Sequence, residues 1–326
     1  MQSNLKILIV RLSSLGDIIH TYPMLYDIKY NLPDATIDWL VDESFTDLLN
    51  LNPLVDNIIS IPLRKWKKDK LNLFSNFKLW RKQTKNLSYD YIIDAQGLLK
   101  SAILAKCLNG TIYGLGKNSI REKLACLFYT KQFETGKNLL SITKNRVLAS
   151  MIFGYSIDKD NVNFGLTSSN FPPSDLAISK QYVIFFHATS KDSKKYPKQN
   201  WAELAKYLIR EHNLSILLPF GSPREQIESL TIKRLINSDN VYVPNKILDY
   251  AKLSGLISNA QFVFGVDTGL IHLANALNKK IIAIYVDTNP DKTGIFESLI
   301  AKNMGNKNLT PSVKELMELF ESIMRI

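Results

Sequence analysis

No Gly-x-Gly-x-x-Gly follows the first apolar run of this 326-residue chain, and no Gly-x-x-x-x-Gly-Lys-Ser/Thr occurs anywhere. The dehydrogenase fingerprint and the kinase P-loop, which both cradle phosphates on glycine-rich turns, are therefore set aside. Cysteine is scarce. Cys107 and Cys126 fall in predicted helices with no histidine or second cysteine at ligand spacing, so both are read as small buried hydrophobes rather than a disulfide or a zinc site. The four histidines, His20, His187, His212 and His272, are scattered, and no His-Glu-x-x-His occurs. Long apolar runs are missing too. Nothing approaches the ~18 residues of a membrane span, and Met1-Gln-Ser-Asn-Leu-Lys6 runs straight into a strand rather than a signal-peptide core. A cytosolic protein is expected.

Composition is otherwise that of a globular protein, 45% hydrophobic and 22% charged, with a net charge of +11. The excess is uneven. Residues 1–150 hold 21 Lys and Arg against 13 Asp and Glu, whereas residues 151–326 hold 20 against 17. A positive field over the first half steers an acidic partner there.

The length exceeds what one core usually serves, which predicts two domains. Short, continuously apolar runs alternate with helical segments: Ile7–Val10, Ile37–Val41, Ile58–Ile61 and Tyr91–Asp94, then Tyr182–Phe186, Ser215–Leu218, Phe262–Val266 and Ile281–Tyr285. Strands of that kind belong to parallel sheets covered on both faces, so the fold class is α/β in two Rossmann-like copies. The domains are placed at 1–165 and 178–310, with a polar, Pro-Pro-containing linker at 166–177. Residues 311–326 close the fold as an amphipathic helix capped by Ser312, with Val313, Leu316, Met317, Phe320 and Ile323 on one face.

Three constellations carry chemistry. In Ser13-Ser-Leu-Gly-Asp17 the chain leaves a strand and enters a helix, and Asp17 is either a favourable helix N-terminal acid or a general base at the carboxyl edge of a parallel sheet. In the second half, Asp267-Thr268-Gly269 also breaks a strand into a helix, where free N–H groups make a diphosphate seat. His187-Ala-Thr-Ser-Lys-Asp-Ser-Lys194 follows a strand of the same half. It is either a solvated loop or a second phosphate-binding one, with Thr189 and Ser190 as donors and Lys194 as a mobile charge. Glu225 is either a surface acid or an acceptor for ribose hydroxyls. The third constellation, Leu63 to Lys82, has eight basic residues against one acid, with aromatics between. It is a solvated face, an anion- or membrane-binding element through Leu71, Phe74, Phe77 and Trp80, or a nucleic-acid site. The last is disfavoured, since no nucleic-acid motif accompanies the charge.

Taken together, Arg11-Leu-Ser-Ser-Leu-Gly-Asp17, Arg64-Lys-Trp-Lys-Lys68, Asp94-Ala-Gln-Gly97, His187-Ala-Thr-Ser-Lys191 with Lys194, and Val266-Asp-Thr-Gly-Leu-Ile-His272 resemble the lipopolysaccharide heptosyltransferase I family. The resemblance implies a GT-B architecture, two Rossmann-like domains whose sheets face an interdomain cleft. It also implies inverting transfer of L-glycero-D-manno-heptose from ADP-heptose to the Kdo of Kdo2-lipid A. Asp17 is then the catalytic base, assisted by Lys194 at the leaving group. Thr189, Ser190, Lys194, Glu225, Lys246, Asp267, Thr268, Gly269 and His272 are the implied donor contacts. Ser14, Arg64, Lys65, Lys68, Gln96, Arg121 and Arg146 are the implied acceptor contacts. Lys65 stands where the family usually has a second arginine, and it loses the bidentate fork. No cofactor is required on this reading, with Mg2+ left open. The partners are the donor, the lipid acceptor and the anionic face of the inner membrane on the cytoplasmic side, with no nucleic acid. A related transferase using another nucleotide sugar or adding the second heptose is the alternative, and a two-lobed anion-binding protein is the non-enzyme reading.

Overall fold

A computed structural model describes residues 4–69, 71–136, 139–167, 171, 178, 181–189 and 191–326. It divides into two compact units, the first ending at Leu166 and the second beginning at Thr167. Most of the expected linker lies outside the described residues, as does Ser190.

The first unit is a six-stranded parallel sheet of β1 (Lys6–Val10), β2 (Thr36–Asp42), β3 (Asn57–Ile61), β4 (Ser88–Asp94), β5 (Asn109–Leu115) and β6 (Lys131–Phe133), in the order β3-β2-β1-β4-β5-β6. The second comprises β7 (Tyr182–Phe186), β8 (Ser215–Leu217), β9 (Val241–Tyr242), β10 (Phe262–Val266), β11 (Ile281–Tyr285) and β12 (Ala301–Gly305), in the order β12-β11-β10-β7-β8-β9. Each sheet therefore has the doubly wound 3-2-1-4-5-6 order. The strand order reverses between β1 and β4 in the first unit and between β7 and β10 in the second, and ligands of open α/β sheets bind outside such switch points.

The strands the sequence hides are β5, β6, β9 and β12, which occupy outer positions. β9 has two residues, and β6 (Lys-Gln-Phe) and β12 (Ala-Lys-Asn-Met-Gly) are polar because an edge strand covers less core. β5 carries Gly114 for a packing reason. A Cβ there would lie 2.3 Å from the Tyr129 ring, so glycine allows that tyrosine to cross the strand and reach Asp94.

On one face of the first sheet, Leu8, Val10, Leu40, Ile92 and Ile112 pack with Trp66, Trp80, Ala102 and Tyr129. Trp80 is thus buried, and Phe77 stacks on it and meets Trp66 edge-on. This corrects their expected exposure: of that quartet only Leu71 (97% exposed) and Phe74 (81%) face solvent. Cys126 is buried in a 3₁₀ turn, Lys123–Phe128, and Cys107 follows the Leu99–Lys106 helix, half-buried, rather than lying in it. In the second unit the Val313–Met324 helix inserts Val313, Leu316, Phe320 and Ile323 beside Phe262 and Phe264. Ser312 and Glu315 form a reciprocal capping box at its start.

Candidate active site

β1 and β4 end level, with Val10 opposite Asp94, so Arg11 and Ala95 leave the sheet side by side. Arg11 is buried, and its Nη1 donates to the Ala95 carbonyl. Its Nη2 lies 2.7 Å from Asp17 Oδ1. Asp17 stands at the third position of the short Leu15–Ile19 helix, and its Oδ2 accepts from the Ser14 N–H (3.1 Å) and Oγ (2.9 Å). The helix-capping and catalytic readings of this residue therefore coexist: one oxygen caps, the other meets a guanidinium. Its side chain stays 40% exposed. Burial raises the carboxyl's pKa, but the Arg11 charge, the two Ser14 hydrogen bonds and His20 outweigh it and hold it below the usual carboxylate range.

Gln96 is fixed from both sides. Its Oε1 accepts the Leu12 N–H at 2.8 Å, and its own N–H reaches the buried Asp94 at 2.9 Å. Asp94 also accepts from Gly97 N–H, Ser101 Oγ and Tyr129 OH. Burial pushes the Asp94 carboxyl up against those four bonds, which makes it the hub that shapes the loop after β4. A cavity of about 220 Å³ opens here, lined by Arg11, Asp17, Gln96, Arg121, Lys144 and Asn145 among others. Of the expected acceptor residues, Gln96 and Arg121 line it and Ser14 holds Asp17.

Four expected acceptor residues lie elsewhere. Arg64 sits over the Phe45 ring, 4.8 Å from its centroid, and 3.7 Å from Asp42. Lys65 pairs with Glu43 at 2.8 Å, and Lys68 is exposed on the same Leu63–Lys68 helix. None of the three lines the cavity. Arg146 requires a correction: it is 3% exposed and grips Asp27 through Nε (2.7 Å) and Nη2 (3.1 Å). That buried bidentate pair ties the Ser141–Phe153 helix to the Tyr22–Asn31 helix and leaves no open face for a ligand. Arg11, Lys144 and Asn145 are the residues the sequence reading missed. Arg11 was visible one step past β1, but nothing local distinguishes Lys144 from Arg146 two positions on.

In the second unit β10 and β7 are also in register, Gly265 opposite Phe186. That brings the loops beyond them together. Asp267 is 9% exposed, and its Oδ2 accepts from Lys194 Nζ (2.6 Å) and Thr288 Oγ1 (2.8 Å), while its carbonyl accepts from Thr189 Oγ1 (3.0 Å). Lys194 is thus anchored rather than mobile, and Thr288 joins a set the sequence did not assign to it. Thr268 caps the Gly269–Ala276 helix by position, without a side-chain hydrogen bond, and His272 is buried on it. Glu225 turns its Oε2 to the Gly221 N–H at 2.7 Å, and Lys246 is exposed. Neither belongs to the Asp267 network. Among the described residues no three His, Cys, Asp or Glu side chains gather as a metal site, and no helix is long and apolar enough to cross a membrane.

The family described as glycosyltransferase family 9 (heptosyltransferase) matches residues 77–319. Lipopolysaccharide heptosyltransferase 1 of Escherichia coli K12 is 33% identical over 89% of this chain and 90% of its own. The structure of E. coli heptosyltransferase WaaC with ADP superposes with a TM-score of 0.88 at 29% identity, covering 98% of this chain and all of that one. The same E. coli enzyme with ADP-2-deoxy-2-fluoro heptose gives 0.86 at 28% identity, over 97% and 99%.

Proposed function

The chain belongs to glycosyltransferase family 9, the heptosyltransferases, and from that premise we propose that it transfers the first L-glycero-D-manno-heptose from ADP-heptose to the Kdo of Kdo2-lipid A, with inversion. The observation that carries the reading is Asp17, an ionised carboxylate left 40% exposed at a switch point beside a polar cavity. Asp17 takes the proton of the attacking Kdo 5-hydroxyl as its oxygen bonds to the anomeric carbon and the bond to the diphosphate breaks. The Arg11 contact weakens Asp17 as a base, so proton transfer is completed late, once the attacking oxygen has become acidic.

ADP departs with growing negative charge. Lys194 and the first N–H groups of the Gly269–Ala276 helix offset it, an interaction that strengthens toward the transition state. The second unit thereby takes the donor and the first takes the acceptor.

The lipid anchor of that acceptor places the enzyme at the cytoplasmic face of the inner membrane as a peripheral protein. Leu71 and Phe74 are almost fully exposed beside Lys67, Lys68 and Lys78, the pairing of apolar side chains and positive charge that binds anionic lipid. Leu71→Asp with Phe74→Asp is expected to abolish sedimentation with phosphatidylglycerol vesicles while activity on a detergent-dispersed acceptor persists.

The test of the activity is ADP release from ADP-heptose with and without Kdo2-lipid A, for wild type and Asp17→Ala, with ADP binding measured in both. Acceptor-dependent release that collapses in the variant while ADP affinity holds supports transfer and base together. Equal release by both moves the base elsewhere, and no release from wild type overturns the donor or acceptor.

A further inference from the structure

The Pro223–Ile236 helix of the second unit breaks the usual amphipathic pattern. Glu228 and Ser229 are buried in it, at 9% and 0%, while the adjacent Ile227 is 67% exposed. Burying polar side chains beside an exposed apolar one costs stability, and such local inconsistency marks functional or strained places. What the two buried residues hold accounts for them. Ser229 Oγ lies 2.7 Å from Nε2 of His187, the residue at which the chain leaves β7. The Ser229 hydroxyl donates to the Glu225 carbonyl at 3.2 Å, so the imidazole donates through its Nε2–H. Burial keeps that imidazole neutral by pushing its pKa down to about 4. Glu228 accepts from Lys195 Nζ, which also reaches Asp192 at 2.9 Å. Burial opposes the Lys195 charge, but the bonds to Glu228 and Asp192 outweigh it and raise the ammonium's pKa.

Consecutive residues of one helix thus grip both ends of the segment from His187 to Lys195. Between those ends stand Thr189 and Lys194, whose side chains meet Asp267. The neighbouring ammonium groups of Lys194 and Lys195 are drawn to different carboxylates, Asp267 beyond β10 and Glu228 on the helix. A cavity of about 210 Å³ is lined by His187, Lys195, Tyr196 and Glu228 among others, so polar bonds rather than close packing fix the segment there. The outer pair, Arg224 with Asp192 at 2.9 Å, is exposed on both sides and contributes little.

We infer that Glu228 is a positioning residue for the donor site: through Lys195 it sets where Lys194 stands, and thereby the affinity of the second unit for the diphosphate of its donor. The inference rests on the reading of Lys194 as a diphosphate contact. Glu228 itself does not meet the ligand and acts only through the segment it holds.

The test is equilibrium binding of ADP, and of adenosine, which lacks the diphosphate, to wild type, Glu228→Gln, Lys194→Met and the double variant. Glu228→Gln is expected to weaken ADP about 5- to 50-fold, within the range of coupling between members of one ionic network, and to leave adenosine binding unchanged. In the Lys194→Met background the same substitution should have no further effect on ADP, because the group it positions is gone. Lys195→Arg, which keeps a cation between Glu228 and Asp192, should retain the wild-type affinity.

An effect of Glu228→Gln that falls equally on ADP and adenosine, or that adds in full to Lys194→Met, marks a general structural role and overturns the inference, as does undiminished ADP affinity. If Glu228→Gln does not fold, Glu228→Gln combined with Lys195→Met makes the same comparison, since removing both charges leaves no unpaired ion behind. Failure of the Lys194 reading shows itself separately, as a Lys194→Met protein with unchanged ADP affinity, whereas failure of this inference leaves the Lys194→Met loss intact.

Discussion

Asp17 and Asp267 both lie beyond switch-point strands, Asp17 in the helix after the first strand of its sheet and Asp267 directly after the fourth strand of its own, and each is bonded to a cation, at 2.7 Å and 2.6 Å. They are buried in opposite senses. In the first unit the cation is sequestered, with Arg11's side chain 9% exposed, and the carboxylate is 40% exposed. In the second the carboxylate is sequestered at 9% and Lys194 is the more exposed partner at 19%. The first unit thus presents an acid from the segment after one strand, and the second a carboxylate-paired cation held between the loops of two strands. On the proposed function the first pair suits a proton acceptor and the second a seat for a departing diphosphate, and the difference lies in which member of each pair is the more exposed.

Exchanging each carboxylate for its amide tests that division most strongly. Asp17→Asn removes proton acceptance while the amide can still meet Ser14, and kcat should fall about 10²- to 10⁴-fold with ADP affinity unchanged. Asp267→Asn should instead release Lys194 and weaken ADP binding about 10- to 100-fold, the loss of one charge-assisted bond. Steady-state kinetics with titration of ADP separates the two. An Asp267 variant that loses kcat but binds ADP normally would break the comparison.

A third pair, Asp27 with Arg146, has neither partner exposed and serves as the limiting case. Arg146→Met leaves a buried carboxylate unpaired, so unfolding should be easier by about 3–5 kcal/mol. Activity per folded molecule should stay near that of wild type. Denaturant unfolding monitored beside kinetics checks it, and a stable but inactive variant would return Arg146 to the acceptor site.

These three pairs show what the sequence displays and what it conceals. The central strands were legible because burial on both faces makes them continuously apolar, and Asp17, Asp267 and Lys194 were legible because they lie within a few residues of those strands. The edge strands β6, β9 and β12 were not, since they are short or polar and the signal fades, whereas the edge strand β3 showed itself through Ile58–Ile61. Side-chain direction was not legible either. Lys144, Asn145 and Arg146 are neighbours on one helix, yet the first two line the cavity and the third points to Asp27, a contact 119 residues away in sequence. Trp80 was hidden in the same way: a basic, aromatic stretch reads as surface until Trp66 and Phe77 are found beneath it.

The smallest effect falls on the titration of Asp17 itself. Burial raises that carboxyl, and the Arg11 charge with the Ser14 bonds brings it below its ordinary value. A depressed pKa in the folded state contributes stability that is fully present above the unfolded value of 3.8 and is lost as pH falls through the folded one. The ionised base needed for activity disappears over the same acid range. In Arg11→Met the largest opposing influence is removed and burial prevails, so the acid limb of kcat against pH moves toward neutrality. The freed Ala95 carbonyl lowers stability by about 1–3 kcal/mol, which thermal unfolding reads independently. In Arg11→Lys a charge remains near Asp17, and the limb should stay close to its wild-type position. A limb that ignores both substitutions would mean that Asp17 is not the group whose ionisation governs the rate. The exposed member of the first pair would then be a helix cap alone, and its likeness to the anchoring role of Asp267 would be closer than their exposures indicate.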